Sequence, residues 1–581
     1  MSGLKRKDSE MKTTQRPALL LLMLVLLSVL ATAEAQTARD TAAASFAPYN
    51  RIEEDYSPAW SPDGKQIVYT TQSGFGFTEG GELKLVSSTG GTPKTFFKDS
   101  YSYRQPAWSP DGKQIAFSSN RGGQFQIWIM SAQGTDLRQL TSMEGADNQQ
   151  PVWSPDGKQI AFVSQPGYRI MIVPAAGGEP KLFTIGQSPA WSPDGKQLAY
   201  SAYSPLSNTL TVVAKPLEGG GAETRLSKST TTMTVRQFRQ AVDWSPDGKR
   251  ILCTKLVEGA SQVAVVNVAD DTVESTTTSD GSLWTPRWSP DGKRILYTYS
   301  NTGHPASIRI STPDEKERTE VTRRKDYTTA QLIRYKSADG LEIPAYLFLP
   351  RQSKAGKGPA ILWLHGDVPG MFGNRFYPHV HYFVDQGFTV LAVNYRTSGG
   401  YNPQLAKLST GDKLVADISA GVDYLKSAQG VEASRIGIVG FSFGGWLMLS
   451  TLIQNPDLFA AAVDFYGPSN MADWYRDVAS FRPLMALAFG GTPEQKPDVY
   501  RMASPVNFVE RIKTPLLILH GTSDTWVPYS QSVALAEALK AAKKEHEFIT
   551  YQGDNHGLEK NMADAFQNAM RYLSARLRKV A

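Results

Sequence analysis

A single cysteine, Cys253, stands in a chain of 581 residues. No internal disulfide can form, so the fold rests on no cross-link. Cys253 ends the strand-like run Arg250-Ile251-Leu252-Cys253 and reads as a small buried hydrophobe. Histidines are also scarce, seven in all, and no His/Cys cluster has metal-ligand spacing. A glycine-rich phosphate motif is missing as well, so no cofactor is implied. Dense Lys/Arg runs are absent. Of the formal net charge of +6, residues 1–35 contribute +2 (Lys5, Arg6, Lys7, Lys12 and Arg16 against Asp8, Glu10 and Glu34), leaving +4. That weak bias argues against nucleic acid as a partner.

Long apolar runs are confined to one place. Residues 18–30 (ALLLLMLVLLSVL) follow a basic stretch and precede Ala31-Thr32-Ala33-Glu34-Ala35. A basic region, a short apolar region and an A-x-A site form a secretory signal peptide. Cleavage is expected after Ala35, with Ala33 as the alternative. The apolar core falls short of the ~20 residues that span a bilayer. A retained single-pass anchor is the rival reading. No cysteine follows the run, which excludes a lipoprotein anchor there. The expectation is an exported product, periplasmic or secreted, with no stable membrane partner.

What is present is ample core material. Hydrophobic residues make up 41% of the chain, with 12 Trp, 24 Tyr and 24 Phe. The length implies at least two domains. Trp-Ser-Pro-Asp-Gly-Lys begins at Trp60, Trp108, Trp153, Trp191, Trp244 and Trp288, at intervals of 48, 45, 38, 53 and 44 residues. Periods of that size with short strands indicate a β-propeller. In the best-kept unit, Ser109-Pro110-Asp111-Gly112-Lys113 is a tight turn, because Pro presets φ and Gly accepts a positive one. Strand-like runs at 114–118, 126–130 and 137–141 complete a four-stranded blade. Six motifs predict six blades, with a seventh, degenerate blade as the alternative. The tryptophans are expected to pack between blades. Residues 201–241 are the least regular and have room for an insertion. The charged residues after the last blade, including Arg323-Arg324-Lys325, read as a solvated linker.

From residue 331 strands alternate with helices, which predicts a doubly wound, mostly parallel sheet. The expected division is a signal peptide at 1–35, a propeller at 36–325 and an α/β domain at 326–581. Within the last, Gly440-Phe441-Ser442-Phe443-Gly444 follows the buried strand 435–439 and opens a helix at 445–454. A G-x-S-x-G between strand and helix is the nucleophile elbow of an α/β-hydrolase. Such an elbow demands an acid and then a histidine after later strands. Asp524 follows the run 514–520 (TPLLILH), and His556 follows 546–551 (HEFITY). The order Ser442, Asp524, His556 is that of this fold, and the gaps of 82 and 32 residues leave room for strand–helix units. Ser442 is the candidate nucleophile, His556 its base, and Asp524 the group that orients the imidazole. One oxyanion-hole amide is expected from Phe443, the residue after the nucleophile. The second is expected from Asp367 in the loop His365-Gly366-Asp367-Val368-Pro369-Gly370.

A propeller followed by this hydrolase resembles the prolyl oligopeptidase family of serine peptidases, including its dipeptidyl-peptidase and acylaminoacyl-peptidase branches. The repeats resemble TolB-like propellers. The matching stretches are Asn394-Tyr395-Arg396-Thr397-Ser398-Gly399-Gly400-Tyr401, residues 440–445, Ser504-Pro505, residues 520–524 and Asn555-His556-Gly557. The resemblance implies cleavage of short peptides in an enclosed site whose access the propeller restricts. It also implies that aromatics after residue 465 line the pocket for the residue before the scissile bond. Trp474, Tyr475 and Val527 are the candidates. Two positions depart from the family pattern. Asp367 stands where relatives often have Gly, and Trp526 where they often have an Arg or Asn that holds the peptide. No counterpart is found for the paired glutamates of dipeptidyl peptidases; Glu53-Glu54 reads as surface charge. An esterase on the same scaffold is the alternative function. A non-catalytic propeller that binds a partner is a remoter one. Oligomeric state is left open.

Overall fold

The computed structural model describes residues 46–578 apart from 47, 74–80, 205–208, 219–220, 227–230, 233–240, 352–356, 369, 410 and 429. The signal-peptide expectation lies outside the described residues, as does much of the irregular stretch within 201–241. Among the described residues no helix is long and apolar enough to cross a membrane.

Six antiparallel sheets follow one another between Glu53 and Glu320, each built from strands consecutive in sequence. They are the six blades of the propeller. Each Trp-Ser-Pro-Asp-Gly turn locks itself. At the first, Ser61 Oγ donates to Asp63 Oδ1 at 2.6 Å and accepts from Gln66 N at 2.9 Å. Gly64 completes it at φ 69°. The hydroxyl and carboxylate replace backbone partners that a hairpin this tight cannot supply. In two of the six repeats the tryptophan indole bonds the neighbouring blade. Trp153 Nε1 donates to Ala107 O and Trp191 Nε1 to Val152 O, each in the inner strand of the preceding blade.

No strand is exchanged between the first and last blades. The ring is stapled instead by Arg324, which bonds Glu53 at 2.8 Å and also pairs with the fully buried Asp55. Most of the charged run after the last repeat is exposed, as its composition suggests, but Arg324 is not and the run is no mere linker. Residues Arg318–Glu320 form the outer strand of the sixth blade, and the Arg324 side chain is only 16% exposed. Glu53-Glu54 is likewise not free surface charge. Glu53 holds Lys84 and Arg324, and Glu54 accepts from Ala306 N at 3.1 Å.

The second domain is an eight-stranded sheet. Its strands are β1 (Gln331–Lys336), β2 (Glu342–Phe348), β3 (Gly358–Leu364), β4 (Thr389–Val393), β5 (Val431–Phe441), β6 (Ala461–Phe465), β7 (Leu516–Gly521) and β8 (His546–Tyr551). They lie in the order β1-β2-β4-β3-β5-β6-β7-β8. The pairs β1/β2 and β2/β4 are antiparallel, and all others are parallel. Helices cover both faces, which is why β3 to β7 are almost continuously apolar. On one face Leu414, Ile418, Leu447 and Leu535 pack on Leu362 and Ile438. On the other Phe383, Phe566 and Leu573 pack on Trp363 and Val439. Phe46, Tyr49 and Ile52 precede the first blade in the chain yet belong to this second core. Phe46 meets the Tyr382 ring edge-on at 4.4 Å.

Blades five and six sit on two loops of the α/β domain. Asn374 N donates to Gly259 O at 2.8 Å, and Gly259 N to Gly400 O at 2.9 Å. Met371 packs with Leu256, Trp284 and Tyr401.

Candidate active site

Ser442 links β5 to the helix α1 (Phe443–Gln454) with φ 51° and ψ −119°. A non-glycine residue holds that left-handed conformation only when its surroundings force it. Ser442 N donates to Phe465 O at 2.9 Å, and its own carbonyl accepts from Gly445 N at 2.8 Å. The flanking glycines have a steric cause. A Cβ on Gly440 would lie 2.4 Å from the Gly444 carbonyl oxygen, and one on Gly444 would lie 2.4 Å from that of His365. The strain presents the hydroxyl at the carboxyl edge of the sheet.

The two partners arrive at the ends of β7 and β8. His556 Nε2 accepts from Ser442 Oγ at 3.0 Å, and His556 Nδ1 donates to Asp524 Oδ2 at 2.6 Å. Asp524 is buried and each oxygen is used twice. Oδ1 accepts from Trp526 N and Val527 N at 2.8 and 2.9 Å. Oδ2 accepts from His556 and from His520 Nε2, the latter at 3.0 Å. Burial alone would raise this carboxyl, but the bonds from His520 and His556 outweigh it and hold it well below the ordinary range. It is therefore a fixed anion. His520 is fully buried, and its other nitrogen lies 2.6 Å from Ser532 Oγ. Nε2 faces two acceptors, Asp524 Oδ2 and Val527 O, both at 3.0 Å, so it carries the proton and Nδ1 accepts from Ser532.

His520 belongs to a stretch that matches the family, but nothing in its own spacing assigns it this place. Two further groups leave no local signal. Tyr466 follows β6 at φ 47°, and its ring centroid is 4.5 Å from that of His556. Asp464, buried inside β6, lies beneath the elbow. Its Oδ1 accepts from Gly467 N at 3.2 Å, and a Cβ on Gly445 would come within 2.2 Å of it. Oδ2 has no hydrogen-bond partner, and burial pushes the carboxyl up to about 7.

The loop after β3 lies against the serine. A Cβ on Gly366 would be 3.0 Å from Ser442 Cβ. Asp367, at φ 63°, comes next. Phe443 opens α1, so its amide has no acceptor within the helix. Among the described residues neither it nor the Asp367 amide donates to another backbone group. The Asn394–Tyr401 motif holds this loop. Tyr395 OH donates to His365 O at 2.6 Å, and Asn394 Oδ1 accepts from Phe372 N at 2.7 Å. His365 Nε2 is 2.8 Å from Ser398 Oγ, and burial lowers the imidazole to about 4, so it is neutral. Arg396 anchors the motif from behind, bidentate to both Asp417 and Asp339 at 2.7–3.0 Å.

The pocket candidates part company. Trp526 is half-buried and stacks on His556, 6.3 Å between centroids. Trp474 Nε1 donates to Trp526 O at 2.8 Å. Phe481, which the sequence did not single out, joins them at 4.9 Å from Trp474 and 5.7 Å from Trp526. Tyr475 packs instead toward Tyr500 and Arg482. Val527 is 1% exposed, a core residue whose link to the site is its amide on Asp524.

Strained serine, imidazole and buried carboxylate on the strand ends of a doubly wound sheet define the α/β-hydrolase class. The chain belongs to the prolyl oligopeptidase family: that family's profile matches residues 374–579, and the TolB beta propeller domain matches 39–215 and 183–343. The uncharacterized peptidase YtmA of Bacillus subtilis (strain 168) is 30% identical over 38% of this chain and 83% of its own. Dipeptidyl aminopeptidase BIII of Pseudoxanthomonas mexicana is 28% identical over 38% of this chain and 34% of its own length. Acylamino-acid-releasing enzyme 1 of Oryza sativa subsp. japonica is 25% identical over 39% and 31%. The matched region thus spans about a third of the last two relatives. Among solved structures, a Mycobacterium tuberculosis puromycin-hydrolyzing peptidase has a TM-score of 0.73 at 19% identity, covering 92% of this chain and 96% of that one. Pyrococcus horikoshii acylaminoacyl peptidase has a TM-score of 0.71 at 18% identity, covering 92% and 97%. At those identities the likeness is one of fold.

Proposed function

We propose that the protein is an exported serine peptidase that hydrolyses short peptides through an acyl-enzyme. The hydrogen-bonded chain from Ser442 through His556 to Asp524 carries this reading. His556 removes the hydroxyl proton as Ser442 attacks the scissile carbonyl, then returns it to the leaving amine. Asp524, ionised and held by four donors, keeps Nδ1 protonated and stabilises the imidazolium. The Phe443 and Asp367 amides receive the oxyanion; losing one such donor typically costs ~3 kcal/mol. Water then hydrolyses the acyl-enzyme by the same route. Trp474, Phe481 and Trp526 form an apolar wall for the side chain before the scissile bond. Blades five and six abut the loop that supplies Asp367, which supports restricted access. A cavity of about 70 Å³ lies among the inner strands of the propeller, lined by Pro58, Pro106, Pro151 and Pro189. The N-terminal basic and apolar segment supports export.

Related proteins support the substrate class: an acylaminoacyl peptidase has been solved with a peptidyl chloromethyl ketone, Z-Gly-Gly-Phe-chloromethyl ketone. A fluorophosphonate probe should label Ser442, and Ser442→Ala should abolish both labelling and peptide hydrolysis. A labelled enzyme inert toward a peptide library would overturn the peptidase reading. It would favour the second one, an esterase, which Trp526 supports. Its indole lies where a side chain that grips the peptide main chain would be needed. Cell fractionation tests export, and retention of the full-length chain in the cytoplasm would refute it.

A further inference from the structure

Asp367 is an exposed carboxylate on the loop that touches Ser442. Among the described residues it has no ion-pair partner and its side chain accepts no hydrogen bond. The neighbouring histidine cannot compensate it, because His365 is buried and neutral. Arg396, the cation of the adjoining motif, is already committed to Asp417 and Asp339. The carboxylate nevertheless acts on the site. Its charge reaches Tyr466, whose ring lies against His556, and Tyr395, which holds the loop. The left-handed backbone at φ 63° is open to Asp and Asn but costly for most residues. An exposed carboxylate thus stands one position from Gly366, which lies against the nucleophile.

Building on the peptidase reading, we propose that Asp367 is a specificity-determining residue that selects substrates carrying an ammonium or guanidinium group close to the scissile bond. Opposite charge in a partly dry cleft attracts such a substrate, and the same carboxylate repels an acidic one. The cation has two sources, a free α-amino terminus or a Lys or Arg side chain. Because the carboxylate is solvent-accessible, the effect is moderate and screened by salt.

The test uses the full-length enzyme and Asp367→Asn, which keeps the left-handed backbone and the amide. One arm compares aminoacyl amides with a free and an acetylated amino terminus. The other compares matched peptides with Lys, norleucine or Glu beside the scissile bond. In one arm or both, the wild type should prefer the cation, and Asp367→Asn should lower the kcat/KM ratio of cationic to uncharged or acidic substrate by about two- to fivefold. The arm that responds identifies the source. Fluorophosphonate labelling of the variant confirms an assembled site. If the labelled variant keeps the wild-type ratio in both arms, the assignment of Asp367 falls while the peptidase reading stands. If the wild type does not hydrolyse even the norleucine peptide, the peptidase reading falls and this inference with it.

Discussion

Asp524→Asn isolates the electrostatic part of the site while changing almost no volume. Oδ1 accepts two backbone N–H groups and Oδ2 accepts two imidazole N–H groups. A carboxamide has only one accepting end. With its oxygen toward Trp526 and Val527, its NH2 faces His556 Nδ1. That nitrogen must then give up its proton, and Nε2 becomes protonated and unable to accept from Ser442. With its oxygen toward the imidazoles, the NH2 faces two amide donors 2.8 and 2.9 Å from the present Oδ1. The first arrangement leaves fewer unmet donors, so the wrong tautomer should prevail. The expected loss in kcat is about 10⁴-fold, roughly 5 kcal/mol, with KM little changed. Stopped-time assays on an activated aryl ester and on a peptide would measure it, with thermal unfolding to confirm the fold. The loss should lessen at high pH, where hydroxide can replace the misoriented base. An Asp524→Asn enzyme within tenfold of wild type at pH 7 would refute this account of the imidazole.

Asp464 makes stability depend on pH. Its ordinary value is 3.8 and burial pushes it to about 7, so the unfolded chain releases this proton first. The stability is full below about pH 4 and is lost as pH rises through 7, up to about 4 kcal/mol in all. Thermal unfolding of Asp464→Asn should therefore match wild type at pH 4 and exceed it at pH 8; equal shifts at both would overturn the assignment. Arg396→Met should destabilise the α/β domain by roughly 3–5 kcal/mol, because it leaves the buried Asp417 carboxylate uncompensated. Adding Asp417→Asn should recover part of that loss, and unfolding of the single and double variants that proves simply additive would show that no such coupling exists.

Much of this architecture is legible in the chain because its constraints are local. The Trp-Ser-Pro-Asp-Gly turn needs a hydroxyl, a carboxylate and a positive φ within five residues, so six turns mark six blades. The elbow is legible for the same reason, since Gly440 and Gly444 are imposed by atoms within a few residues or on the adjoining strand end. Composition misleads where pairing is long-range. Arg324 sits in a charged run that looks solvated, yet its partners Glu53 and Asp55 lie some 270 positions earlier, across the closing seam of the ring. Phe481 carries no motif at all and reaches the site because a helical turn after β6 carries it to Trp526.

The amino-acid sequence by itself determined the two-domain order, the propeller repeat, the hydrolase topology and the succession of Ser442, Asp524 and His556. These follow from backbone geometry and from hydrophobic period, which are properties of neighbouring residues. Folding in three dimensions alone revealed that His520 is the second donor to Asp524. It also placed Asp464 beneath the elbow, turned Tyr475 away from Trp526 and, among the described residues, left the Asp367 carboxylate without an ion-pair partner. Each depends on which side chains meet across separate strands and on how much water they exclude, and no local pattern encodes either.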